Sequence, residues 1–183
     1  MNYYYFISSL PMLDFQRPYF EGGVAAFDDM CKNNINAADA DKLMQITLEN
    51  PPLKNPGSEI QREFLCWDTN LRNAIANIVM PNGAAHKYLQ KEDKYFSEIE
   101  YIVQNAAARK DPLERDRAID EVRFNKIEEL SVFAGFGFEF LAAYRMKLLL
   151  LEKYASLSVE KGEANFDILV KEILDADKNK HNI

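Results

Sequence analysis

Chemistry that needs an imidazole must rest on His86 or His181, the only two histidines in this chain of 183 residues. His181 stands in the polar tail after Asp177, residues 177–183, which is expected to fray. His86 follows the breaker Met80-Pro81-Asn82-Gly83, and no nucleophile motif surrounds it, so it reads as a surface residue after a turn. A di-iron bundle site would need Glu-x-x-His pairs facing inward, and the chain has none. Glu98 and Glu100 fall on different faces of their helix, and of the adjacent Glu128 and Glu129 at most one can face inward. Neither glycine-rich phosphate cradle occurs, since Gly135-Phe136-Gly137 is too short and follows no strand. The expectation is a protein that is not itself an enzyme, with no catalytic residue, no metal site and no cofactor.

Two polar features remain. Asn70, Asn73 and Asn77 form a row beside Arg72 on one helix, read either as interhelical hydrogen bonding or as an exposed polar face. Glu139, Tyr144 and Arg145 sit inside the most apolar helix, where a buried charge needs a partner; pairing with other helices is the expectation. Cys31 and Cys66, in separate apolar segments without Cys-x-x-Cys spacing, read as two buried thiols.

Charge narrows the partners. The formal charge is −7, with 22 Lys and Arg against 29 Asp and Glu and no basic block, so nucleic acid is not an expected ligand. The opening, Tyr3-Tyr4-Tyr5-Phe6 through Ser9-Leu10-Pro11, has no basic residue before Arg17 and therefore lacks the positive region of a secretion signal. It also lacks the basic residues that a base-stacking platform needs between its aromatics. Core packing with a hydroxyl at the edge suits it better, and the expectation is an ordered segment against the C-terminal helices with at least two of its three tyrosines largely buried. The apolar run Ser131 to Leu151 carries Glu139, Arg145 and Lys147, each costing about 2.5–3.5 kcal/mol at bilayer depth. It is expected to be a buried helix of a soluble, cytoplasmic protein without a membrane-spanning segment.

The elements that must position these groups read almost entirely as helix. Tyr3 to Leu10 is either a short extended segment or the first turns of a buried helix, and Pro11 to Glu21 an irregular connection. Val24, Phe27, Met30 and Cys31 mark one helix; Asn36 caps a second that runs to Asn50, where Pro51 and Pro52 stop it. Residues 50–57 are the clearest linker and the one place where the domain could subdivide. Ser58 with Gln61 is a capping box, opening a long helix striped by Ile60, Phe64, Trp67, Leu71, Ile75 and Ile78. A short helix over 84–89 and a helix marked by Tyr95, Ile99, Ile102 and Ala106 follow. Asp111-Pro112-Leu113-Glu114 starts a helix with Ile119, Val122, Ile127 and Leu130 buried and its charged side solvated. Beyond the glycines at 135 and 137 lie the apolar helix from Phe138 to Leu157 and, after Gly162, an amphipathic one carrying Phe166, Leu169, Val170, Ile173 and Leu174. The fold class predicted is all-α, one domain over 1–183 with seven or eight helices.

Several short motifs in this order carry a likeness. They are the Tyr-rich start through Leu10-Pro11, Asp111-Pro112-Leu113-Glu114-Arg115, Glu128-Glu129-Leu130, Ala143-Tyr144-Arg145-Met146-Lys147-Leu148, and Glu152-Lys153-Tyr154 with Gly162 and Phe166. A weaker echo is Asn55-Pro56 with Leu71-Arg72-Asn73. Together they resemble an uncharacterised bacterial family encoded among the subunits of V-type (archaeal-type) ATPases. In those gene clusters the family stands in the place of the C-type rotor cap, the all-helical relative of the eukaryotic d-type cap between membrane rotor ring and central stalk. The chain is shorter than expected of that family. The resemblance implies a non-catalytic helical subunit or accessory protein that links or assembles the central stalk and membrane rotor ring, peripheral on the cytoplasmic face of the inner membrane. The alternatives are a helical small-ligand binder or enzyme whose pocket is lined by Glu139, Tyr144 and Arg145, and a homodimeric helical adaptor.

Overall fold

The computed structural model describes residues 2–17, 21–48, 57–80 and 96–155. Seven α-helices and no strand occur among them: α1 (Tyr4–Ser9), α2 (Gly23–Asn34), α3 (Ala37–Met44), α4 (Glu59–Val79), α5 (Glu98–Ala107), α6 (Pro112–Ser131) and α7 (Phe138–Ala155). The fold is all-α. The linker at 50–56, the helix expected over 84–89, His86, the helix from Phe166 to Leu174, the tail at 177–183 and His181 lie outside the described residues.

Three helices begin where their sequence signals put them. The side chains of Asn36, Ser58 and Asp111 each accept a hydrogen bond from a backbone N–H of the first turn, that of Asp39, Gln61 and Leu113 respectively. Each cap satisfies a donor that the helix itself leaves unpaired. Pro112 occupies the first turn of α6, where its missing N–H costs no helical bond. In the capping box at Ser58, the Gln61 amide accepts from Gly57 N–H at 2.9 Å and donates to the Thr47 carbonyl at 3.1 Å.

The opening segment is helical, and the extended alternative is overturned. Ile7 N–H donates to the Tyr3 carbonyl at 2.9 Å, and Tyr3, Phe6 and Ile7, spaced i, i+3, i+4, are buried. That spacing leaves the other face outside: Tyr4 is 50% exposed and Tyr5 89%, so one tyrosine of the three is buried, not two. The segment does lie against the start of α7: Tyr3 N–H donates to the Phe136 carbonyl at 2.7 Å.

α3 stops at Met44 rather than near Asn50. The backbone beyond is claimed by other helices, since the Ile46 carbonyl accepts from Arg145 of α7 and the Thr47 carbonyl from Gln61 of α4. Ile46 itself is fully buried, an anchor that the following prolines do not reveal.

α7 is the central element, packing against α2, α3, α4 and α6, with α5 against α4 and α6. Residues 141–148 are buried without interruption. A helix surrounded on all sides is apolar on all sides, which explains the run that resembled a membrane span. Among the described residues no helix is long and apolar enough to cross a membrane. One hydrophobic core takes residues from all seven helices, with Ile46 and Ile60 on either side of the linker both in it. Cys31 and Cys66 are buried and form no disulfide. Burial, followed by the nearby Asp28 charge, pushes the Cys31 thiol up to about 12.

Gly135 carries the turn between α6 and α7 at φ +59°, a left-handed conformation that a side chain disfavours. Gly23, also at φ +59°, opens α2 directly beside Glu152, whose Oε1 would lie 2.5 Å from an added Cβ.

Candidate functional site

The densest polar constellation among the described residues joins α4, α6 and α7. Asp68 follows the buried Cys66 and Trp67 in α4, and its side chain is only 3% exposed. Asp120, after Ile119 in α6, is 2% exposed. A carboxylate so enclosed needs cations at hydrogen-bond distance. The helical spacing supplies one to each: Arg72 Nε to Asp68 Oδ2 at 2.6 Å (i, i+4), and Arg123 Nη1 to Asp120 Oδ1 at 2.7 Å (i, i+3). Across helices, Arg123 Nε donates to Asp68 Oδ1 at 2.7 Å and Lys153 Nζ to Asp120 Oδ2 at 2.6 Å. Burial works against the Arg123 charge, but Asp68 and Asp120 outweigh it and hold the guanidinium above its ordinary pKa. Both carboxylates spend both oxygens on cations, so the constellation acts as an interhelical clamp.

The side of α6 expected to be solvated thus carries Asp120 inward and Arg123 largely so. Its sequence signal was available: an Asp directly after an apolar core position with an Arg three residues on. Asp68 gave a similar one, an acid inside the stripe between Trp67 and Leu71.

The clamp's Asp120, Arg123 and Lys153 line one part of a cleft of about 420 Å³ between α4, α5, α6 and α7, whose apolar wall is Ile75, Val79, Val103 and Ile119 and which Arg115 also lines. The Arg115 Nε is buried without a hydrogen-bond partner among the described residues. Ile78, expected on the buried stripe of α4, is 47% exposed at this end of the helix.

Glu139, Tyr144 and Arg145 do not converge on a cavity. Glu139 Oε2 accepts from the Ser58 hydroxyl at 2.6 Å and from Ile60 N–H at 3.0 Å, so it caps α4 from outside that helix. The Tyr144 hydroxyl donates to the Pro11 carbonyl at 2.8 Å, and burial pushes its pKa well up. Arg145 grips Asp28 of α2 with Nε and Nη2 at 2.8 and 2.9 Å, and donates through Nη1 to the Ile46 carbonyl. The three bind three different elements, as structural pairing predicts and a shared pocket does not.

Of the asparagine row, Asn70 donates to the Cys66 carbonyl one turn back at 3.1 Å, Asn73 is half-buried and Asn77 is exposed. Arg72 adds a hydrogen bond to the Leu48 carbonyl at 3.3 Å. Tyr3 joins a cluster with the α3 cap: its hydroxyl donates to Asp39 Oδ2 and accepts from the Asn36 amide. Burial, then the Asp39 hydrogen bond, raises the Tyr3 phenol, and the same bond lowers the Asp39 carboxyl. Tyr4 and Tyr5 are outside this cluster; their rings meet edge to face at 5.6 Å, and Tyr4 meets Phe136 at 4.7 Å. Among the described residues no three His, Cys, Asp or Glu side chains are grouped to hold a metal ion.

The family described as protein of unknown function (DUF2764) matches residues 67–177, well over half of the chain, and the chain belongs to that family. The matched region takes in most of α4 and all of α5, α6 and α7, and with them both carboxylates of the clamp. No curated protein and no solved structure matches the chain.

Proposed function

We propose that this DUF2764 member is a non-catalytic helical subunit or accessory protein of a bacterial V-type ATPase, linking or assembling the central stalk and the membrane rotor ring on the cytoplasmic face. The resemblance of its short motifs to a family encoded among those subunits supports the ATPase context. The observation that carries the mechanical part is the use of Asp68, Asp120, Glu139 and Arg145, each committed to joining one helix to another element. Such groups stiffen a scaffold, and mechanical coupling needs a stiff body with docking surfaces. Proton or ion chemistry then belongs to the partners, and none is assigned to this chain.

The test is co-purification from the native cell with stalk and ring subunits, followed by deletion of the gene and measurement of ion pumping in membrane vesicles. Co-fractionation and impaired pumping are expected. A protein that never co-fractionates and whose loss leaves pumping intact would not be an ATPase component.

A second reading, a helical ligand-binding protein, attaches to a different place from the one the sequence suggested: the cleft that Arg115 helps to line. Its apolar wall, with Arg115 and Lys153 as well as Asp116 among the lining residues, suits a small amphipathic ligand. Calorimetry with a medium-chain carboxylate tests it, binding lost in Arg115→Gln being the supporting result.

A further inference from the structure

The turn between α6 and α7 and the outer face of α1 form an apolar surface that no other described residue covers. Phe133 is 95% exposed, Val132 66%, Phe136 46% and Tyr5 89%. Tyr4 ties the two segments together: its ring lies 5.6 Å from Tyr5 and 4.7 Å from Phe136. The backbone beneath is fixed by the Tyr3–Phe136 hydrogen bond, so the rings stand on ordered structure. A cluster of large apolar side chains exposed on ordered backbone marks a contact site.

Charge decides what the contact is. The charged residues one helical turn before Val132 and Phe133 are Glu128 and Glu129, and Lys126, the nearest cation before them in α6, has a side chain only 14% exposed. Glu128 and Glu129 are exposed in the last turn of α6; Glu129 shares the largely buried Lys126 ammonium at 3.1 Å, while Glu128 and the negative end of the helix keep this end acidic. Exposed ring faces attract cations in the same sense. A membrane-facing surface carries Lys and Arg towards anionic headgroups, and nucleic acid would be repelled. A second copy docking symmetrically would set these carboxylates against themselves. We propose that the Tyr4–Tyr5–Phe133–Phe136 surface docks a protein segment in which apolar residues alternate with Lys or Arg. The inference goes beyond the ATPase reading and does not depend on it.

The experiment places the photo-crosslinker p-benzoylphenylalanine at Phe133 in the full chain, expressed in its native cell, with a control at Tyr101, which is 70% exposed on α5. Cross-linked peptides are identified by mass spectrometry. The expected result is an adduct specific to position 133 on a segment of another protein with Lys or Arg beside its apolar residues. In Glu128→Lys/Glu129→Lys the adduct should fall about tenfold, the size of effect that loss of about 1.4 kcal/mol of charge complementarity gives. The variant gives up the Lys126–Glu129 pair, a small cost at an exposed carboxylate that the fit of lysine to a helix C-terminus offsets, and an unchanged melting curve confirms folding. Adducts with lipid, with a second copy, with an acidic segment, or none above the control overturn the proposal. A basic-apolar peptide from a protein other than an ATPase subunit supports the surface while counting against the ATPase reading, so the two fail separately.

Discussion

Arg145 and Asp28 meet through two parallel hydrogen bonds, Nε to Oδ1 at 2.8 Å and Nη2 to Oδ2 at 2.9 Å, joining α7 to α2 across 117 residues of sequence. The Arg145 side chain is 9% exposed and that of Asp28 16%. Planar two-point pairing of this kind is specific to a guanidinium.

Arg145→Lys therefore keeps the charge but loses one arm of the fork and the bond to the Ile46 carbonyl. It should destabilise the fold by about 2–3 kcal/mol, as for a buried charged hydrogen bond left unmade. Asp28→Asn should cost a similar amount, and the double variant less than the sum, because the two act on one pair. Urea titrations of the four proteins measure this cycle.

Asp120→Asn removes the charge between Arg123 and Lys153 while Arg123 keeps Asp68. The expected cost is about 2–3 kcal/mol, below the 3–5 of a fully orphaned buried ion. Lys153→Met should cost far less, because that side chain is 54% exposed and its pairing is screened. An unchanged urea midpoint for Asp120→Asn would remove the clamp from the account of how α4, α6 and α7 are held.

Glu139→Gln keeps the size of the side chain and removes the negative charge at the start of α4. The expected loss is about 1 kcal/mol, the usual worth of a helix cap and its interaction with the dipole. Amide hydrogen exchange should quicken first at Ile60 and Gln61, before the centre of the helix responds.

Stability should fall on the alkaline side. Burial raises the Cys31 thiol from 9.0 to about 12 and moves the Tyr3 and Tyr144 phenols upward from 10.0. A folded-state pKa above the unfolded one means that the folded protein holds its proton more tightly. The stabilisation is complete below pH 9 and is lost as the pH climbs from 9 through the folded-state values. The Asp39 carboxyl is lowered instead, chiefly by Tyr3, so its share is present at neutral pH and disappears as the pH drops below about 4. Thermal melts across pH 3–11 should show both limbs, and Tyr144→Phe should make the alkaline limb shallower.

The helix starts at Asn36, Ser58 and Asp111 were legible because a cap is a local event: the side chain bonds a backbone N–H two or three residues on. The all-α class was legible for a related reason, since apolar spacing of three and four repeats within each helix. For Glu139, Tyr144 and Arg145 the sequence indicated buried groups in want of partners, but not which ones. Ser58, Pro11 and Asp28 lie 81, 133 and 117 residues away, and periodicity holds no record of which helix becomes the neighbour.

Composition and local pattern by themselves determined an acidic, helical chain with these starts and an enclosed apolar run over residues 131–151. Only the tertiary structure decided that Tyr3 turns inward while Tyr4 and Tyr5 face out, that the charged side of α6 hides Asp120, and that Asp68 meets Arg123. The physical reason is the same in each case. A residue's own turn of helix sets the direction in which it points, whereas what it meets there is set by the packing of segments far apart in the chain.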